Sequence, residues 1–363
     1  MHYLQDNGPD YTMRPCLGQS TFRFFMLLIT AIMIPACAMT ALPGAPPTIK
    51  IGVAVPVEGL DRALGYEAMF GVKLAVQERN RGQGLNGYRL EVVVLNDFND
   101  PVEATTQARA LITDPDVMGV VGHLSAAATL AALPVYQEAR LAVSIPWTLP
   151  AAGLNSVQDG VVNLAAPAEM TSDRLEAVGR FMGFGELMKL DDEDVSRIGA
   201  EAQALELVTD ATTGGEILLA LDRAGIDLPR FGQVELGSPQ LVQVAQTAAN
   251  GLVFVSPGPD PQQVTGADDF IEAYQNLAGF PPGPRAVLAY DAAHVLLDAI
   301  EQSLASNRQR PDRSDISARI GHITRDGLSG RIAFDAQGRR IDAPVWVYQI
   351  SEGRYPGVPV SFE

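Results

Sequence analysis

From Ile49 onward the chain alternates short β-branched runs with stretches of helical period, and this alternation decides most of what it can fold into. Ile49-Lys50-Ile51-Gly52-Val53-Ala54-Val55 has the length and composition of a buried strand. Ala68, Val72, Ala75 and Val76 then recur at i, i+4, i+7 and i+8, with Glu67, Lys73, Gln77 and Glu78 opposite, which predicts an amphipathic helix. Leu90–Leu95 reads as the next strand. Asp100 can cap a helix, Pro101 suits its first position, and Glu103 stands where a capping box closes. Val117–Val121 is a third strand, Ser125–Glu138 a third helix that Pro134 should bend or shorten, and Leu141–Ile145 a fourth strand. Strands separated by helices imply a parallel sheet covered on both faces, with ligands held outside the carboxyl ends of its strands.

Beyond Pro146 the pattern weakens but stays α/β. Val161–Leu164 is strand-like, Ser172–Met182 is a helix, and a second helix is expected near Val195–Ala202. A strand at Ala204–Val208, a helix at Gly214–Ala224, a strand at Gly251–Val255 and a helix at Asp268–Leu277 follow. Arg285–Leu304 is a long amphipathic helix and Ser317–Thr324 a shorter one, with strands at Arg331–Phe334 and Val345–Ile350. At 363 residues the chain exceeds what one hydrophobic core organises, so two lobes are expected.

Charge and cysteine content narrow the function classes. Lys plus Arg against Asp plus Glu gives 26 − 43 = −17, which leaves no basic footprint for a nucleic-acid backbone. The two cysteines, Cys16 and Cys37, both precede the α/β region, which therefore holds neither an internal disulfide nor a thiolate metal site. Around them, Arg14 and Arg23 lead into the apolar run Phe24–Met33, and Ile34-Pro35-Ala36-Cys37 follows. That order is a signal peptide over residues 1–37, ending in a small-residue cleavage site. The run is shorter than the ~20 apolar residues of an ordinary membrane span. Residues 38–47, with the Pro/Gly/Ala stretch Leu42–Pro47, form a stiff linker.

The candidate binding chemistry lies at strand ends. Gly122-His123-Leu124-Ser125-Ala126-Ala127-Ala128-Thr129 joins a strand to a helix, where backbone N–H groups and the helix dipole favour an anion. The same residues are also compatible with a plain tight turn capped by Ser125. Pro146-Trp147-Thr148-Leu149-Pro150 ends the next strand, so Trp147 offers a wall and Thr148 a hydroxyl to the same crevice, or else a rigid packed loop. His123, His294 and His322 have no metal-ligand spacing, and no nucleophile motif or phosphate loop is present. Gly82 to Gly87 matches G-x-G-x-x-G but ends a helix instead of opening one, and the pairs Asp191-Asp192 and Asp268-Asp269 read as solvated faces or helix starts. No cofactor, no metal and no enzymatic activity are expected.

Ile51-Gly52-Val53-Ala54, Gly71-Val72-Lys73-Leu74-Ala75, Asn99-Asp100-Pro101, Val121-Gly122-His123-Leu124 with Thr129, and Ser144-Ile145-Pro146 together resemble the Leu/Ile/Val (branched-chain amino acid) binding proteins of bacterial ABC importers. The likeness thins in the middle and returns at Ala289-Tyr290-Asp291-Ala292 and over Gly330–Gln349. It implies the periplasmic binding protein type I fold: two Rossmann-like lobes with parallel sheets, joined by a hinge of three crossovers. Residues 48–163 and 284–328 would form lobe 1, and 164–283 with 329–363 lobe 2. Ile34-Pro35-Ala36-Cys37 itself resembles a bacterial lipobox, in which Cys37 would be lipidated, with a plain secretory signal as the alternative, while the family likeness implies a small amphipathic solute, an amino acid above all, delivered to permease subunits. A ligand-sensing receptor of the same fold is the alternative. Carried over residue by residue, the ligand would meet Ser125, Ala126 and Ala127, then Trp147 and Thr148, and on lobe 2 Asp210, Thr212 and Glu235. The family commonly has a serine where Ala126 stands and an aromatic where Leu64 stands. A strand–helix–strand unit common to the family should be missing after Phe181-Met182-Gly183-Phe184-Gly185, so lobe 2 is expected to be shortened.

Overall fold

The structure is a computed structural model, and it describes residues 46–82, 84–154, 160–307 and 310–361. Cys37 and the leader lie outside the described residues. The first half follows the expected order: β1 (Thr48–Val55), α1 (Arg62–Arg81), β2 (Arg89–Asn96), α2 (Pro101–Thr113), β3 (Val117–Gly122), α3 (Ala126–Glu138), β4 (Ala142–Ile145) and β5 (Val161–Asn163). These strands form one parallel sheet in the order β2-β1-β3-β4-β5. Asp100 caps α2 by accepting from the Val102 and Glu103 amides at 2.8 and 2.9 Å. The capping box is not completed, because the Asp100 amide donates to the Asp97 carbonyl instead. Pro134 neither ends nor shortens α3, which runs through it to Glu138.

The chain then crosses to a second sheet. α4 (Ala168–Phe181) packs on that sheet, followed by β6 (Met188–Leu190), β7 (Leu205–Leu207), α5 (Ala211–Ala224), β8 (Arg230–Gly232), α6 (Pro239–Ala245) and β9 (Val253–Ser256). It returns through 257–267 to α7 (Asp268–Ala278), α8 (Pro284–Asn307) and α9 (Arg313–Ile320), which pack with the first sheet and α1. Phe270 and Tyr274 of α7 join Leu74 of α1 in one buried cluster, so α7 sits with the first sheet's helices. A small hairpin, β10 (Arg325–Gly327) and β11 (Gly330–Ile332), and a parallel bridge from Asn163 to Arg339 keep the chain near the first sheet. A last crossing leads to β12 (Trp346–Ser351) and β13 (Arg354–Pro359) in the second.

The second sheet has the order β13-β12-β9-β8-β7-β6, and it corrects the expectation of a purely parallel sheet. β6 to β9 are parallel, but β12 runs antiparallel to β9 and β13 antiparallel to β12. A hairpin with the short turn Ser351–Arg354 can form no other way, since parallel neighbours need a long crossover. The helix expected near Val195–Ala202 is a single 3-10 turn, Val195–Arg197. Asp194 caps it, but only Val195 and Ile198 have apolar surface to pack, too little to sustain a helix.

Candidate functional site

Both sheets point the carboxyl ends of their parallel strands at one interlobe region, and the first lobe builds its side around β3 and β4. Gly122 ends β3 at φ +141, where a Cβ would lie 2.2 Å from the Ala54 carbonyl oxygen, so only glycine lets the strand end lie against β1. Behind it, buried His123 fixes the turn: Nδ1 lies 2.5 Å from Asp97 Oδ2 and Nε2 3.1 Å from the Tyr136 hydroxyl. His123 is thus a packing residue rather than a ligand contact. Ser125 caps α3 by accepting from the Ala128 amide at 3.2 Å, and Ala127 is exposed beside half-buried Ala126. The first amides of a helix have no intrahelical acceptor and stay open to an anion.

After β4, Trp147 and Thr148 are both buried. The Thr148 hydroxyl has no hydrogen-bond partner among the described residues. Over the Trp147 ring, with its Cζ 5.0 Å from the ring centroid, lies the guanidinium of Arg285. Arg285 begins α8 of the first lobe, yet it donates to the Gly237 carbonyl and, at 2.9 Å, to the Val234 carbonyl, both in the loop after β8. It also donates to the Tyr355 hydroxyl of β13 at 2.9 Å. Arg285 therefore spans the lobes, and it is the site residue that sequence reasoning missed.

On the second lobe, Glu235 sits between the two carbonyls that Arg285 grips. Glu235 is open to solvent but walled by its neighbours, so burial pushes its carboxyl up, against the pull of the Arg285 charge. Asp210 has a different task. It caps α5, accepting from the Thr212 and Thr213 amides at 2.8 and 3.0 Å and from the Thr213 hydroxyl at 2.8 Å. Partial burial works against its ionisation, but these bonds win and hold its carboxyl below the usual range. Thr212 lends this cap its amide. Leu64, where the resemblance sets an aromatic, is buried in α1.

A cavity of about 420 Å³ opens beside this cluster, between α1 and α6, lined by Arg62, Tyr66, Glu67, Gln240, Phe280 and Tyr355. Glu67 is buried, and its Oε1 accepts from the Arg285 and Ala286 amides at 2.7 and 3.2 Å, which caps α8. Burial pushes this carboxyl up, opposed by the Arg285 charge and the two amides. Among the described residues no His/Cys/Asp/Glu group is arranged to hold a metal.

The structure thus has two α/β lobes with a cavity of small-molecule size between α1 of the first and α6 of the second. The chain belongs to the periplasmic binding protein family, whose profile matches residues 48–184 and 188–354. Proteins of this family bind solutes and are not enzymes, and membership implies an extracytoplasmic station. The chain is 24% identical to the leucine-, isoleucine-, valine-, threonine- and alanine-binding protein of Pseudomonas aeruginosa, over 83% of this chain and 90% of that protein. Its fold matches the branched-chain amino acid transporter substrate-binding protein LivJ of Streptococcus pneumoniae in complex with isoleucine, with TM-score 0.72, 22% identity and coverage of 86% and 99% of the two chains. A solute-binding protein of an ABC transporter from Rhodopseudomonas palustris, solved with 3,4-dihydroxybenzoic acid, matches with TM-score 0.72 at 17% identity, over 86% and 96%.

Proposed function

We propose that the protein captures a small amphipathic solute, an amino acid or a close relative, between its lobes and delivers it to the permease subunits of an ABC importer. The observation that supports this reading is family membership together with Arg285, which lies over Trp147 of one lobe and donates to the Val234 and Gly237 carbonyls on either side of Glu235 in the other. The amides of Ala126 and Ala127 take the carboxylate, Trp147 forms the apolar wall, and Glu235 receives the ammonium. Asp210 and Thr212 stand outside the ligand contacts in this reading, as the cap of α5. No covalent chemistry is involved; binding energy is realised as the lobes close.

A thermal-shift screen of amino acids and small carboxylates tests the reading. At 100-fold excess over Kd, linkage gives about 2.7 kcal/mol of stabilisation. Ala126→Trp should abolish the shift while the unliganded protein melts as before, and equal shifts in the two proteins would place the site elsewhere.

We also propose that Cys37 carries a lipid anchor, supported by Ile34-Pro35-Ala36-Cys37 after the apolar run. Each buried methylene of an acyl chain adds roughly 0.8 kcal/mol of membrane affinity. Cys37→Ser should move the protein to the soluble fraction, and unchanged fractionation would reject the anchor. The second lobe is, in this reading, shortened: β6 and β7 are parallel neighbours joined through 191–204 without an α-helix. The exposed side chains of Phe181 and Met182 stand on the approach to that edge.

A further inference from the structure

The cavity between α1 and α6 has apolar walls that are held in place. Tyr66 and Phe280 both line it, and they leave 40% and 37% of their surface exposed. Phe280 sits edge-on against Phe70 and Tyr274, with ring centroids 5.7 and 5.8 Å away, so its ring is fixed from behind. Pro239, Pro281 and Pro282 complete the walls, and each proline ring locks a backbone dihedral. The space they enclose, about 420 Å³, is within the range of small-molecule sites.

The polar groups of the lining are uncommitted on the donor side. Arg62 and Tyr66 stand one turn apart on α1, and Gln240 and Gln243 one turn apart on α6, so each pair shares a helix face. Among the described residues Arg62 has no ion pair or hydrogen bond, and neither glutamine side chain has a partner. Glu67 is the one acid in the lining, and its Oε1 is taken by the Arg285 and Ala286 amides at 2.7 and 3.2 Å. An ammonium group entering here meets an engaged carboxylate and the positive charge of Arg62, whereas an anion meets a free guanidinium and two amide donors. A dianion such as a phosphate monoester needs a second cation, which the lining lacks.

We propose that this cavity is a second binding site, for a monocarboxylate carried on an aromatic ring. The ring lies against Tyr66 and Phe280, the carboxylate takes the planar fork of Arg62, and the Gln240 and Gln243 amides donate to it from the other side. The site goes beyond the amino-acid contacts proposed above, since none of Ala126, Ala127, Trp147 and Glu235 lines the cavity. Arg62 and Tyr66 belong to the first lobe and Gln240 and Gln243 to the second, so an occupant touches both.

Calorimetry on the purified protein with phenylacetate, benzoate, benzylamine and acetate tests the site. The two aromatic acids should bind at least about 10-fold more tightly than benzylamine, which lacks the charge, or acetate, which lacks the ring. Arg62→Gln and Tyr66→Ala, both at exposed positions, should each weaken phenylacetate by about 10-fold or more and melt as wild type does without ligand. Benzylamine or acetate binding as tightly as phenylacetate, or phenylacetate affinity unchanged in either variant, would overturn the site. So would silence toward both aromatic acids at ligand concentrations of about 1 mM. Should a variant fail to fold, the wild-type ranking decides alone. The thermal-shift screen with amino acids tests the solute-binding reading separately, so the two can fail independently.

Discussion

β5 and β6 are edge strands of equal length on facing sheets, and their surroundings differ. β5 is buried throughout and is continued by the bridge to Arg339, with α9 packed across it. β6 leaves Lys189 exposed and Met188 half-buried, and the crossover behind it holds only a 3-10 turn. A strand edge is finished by what the rest of the chain lays on it, not by its own residues. The first lobe draws α8 and α9 from far along the sequence to complete its core. The second relies on α4, α5 and α6 and has a smaller apolar cluster of its own.

The sharpest way to break that comparison is to cut one buried leucine in each lobe. Leu296 of α8 is fully buried and packs where a Cβ on Gly119 would touch it, so Leu296→Ala should cost about 4 kcal/mol. Leu190 of β6 is as buried, but its surroundings can collapse, and Leu190→Ala should cost about 2 kcal/mol. Urea midpoints at constant m-value measure both, and equal losses would mean that the two edges are equally well packed.

The helix caps sharpen the comparison at a smaller scale. Asp100→Ala in the first lobe and Asp210→Ala in the second each remove a carboxylate that accepts two helix amides, at about 1 kcal/mol apiece. Asp210→Ala should leave the stabilisation gained from a bound solute unchanged, because the carboxylate is committed to its own helix. A loss of that gain, read by thermal shift at saturating solute, would restore Asp210 to the ligand.

The smallest effect concerns the boundary between the lobes and depends on pH. Burial raises the Glu67 carboxyl above its ordinary 4.5, so the folded protein holds a proton there that the unfolded chain has already lost. The stability from this group is complete below pH 4.5 and is lost as the pH rises through the folded value. Glu67→Gln keeps the oxygen that caps α8 and cannot ionise. Its melting temperature should therefore fall less than that of wild type from pH 4.5 toward neutrality, and parallel pH profiles would show that folding leaves the Glu67 carboxyl at its ordinary pKa.

The first lobe was legible because local signals agreed. β-branched runs, helical periodicity and the Asp100-Pro101 start all place the same elements, and those elements are found within a few residues of where they are expected. In the second lobe β6, β8 and β13 were not placed, since Met188–Leu190 and Arg230–Gly232 are too short to carry an alternation and Arg354–Pro359 contains a proline and a glycine. Of the candidate residues, Ser125 to Ala127, Trp147 with Thr148, and Glu235 follow the ends of β3, β4 and β8. Asp210 was visible as an acid before a helix, but the sequence does not separate a ligand contact from a cap.

By itself, the sequence determined what nearest neighbours decide: where helices start, which runs are apolar enough for strands, and that small residues line the turn after β3. Tertiary structure alone decided the role of Arg285. An arginine at the head of a helical pattern reads as a solvated cation, because arginine is rarely buried. What buries this one is a pair of carbonyls 48 and 51 residues away and a tyrosine 70 residues away, brought to it when the second sheet folds against the first. Contacts at such separations leave no periodicity in the chain, so the charge at the centre of the cleft becomes visible only once both lobes are in place.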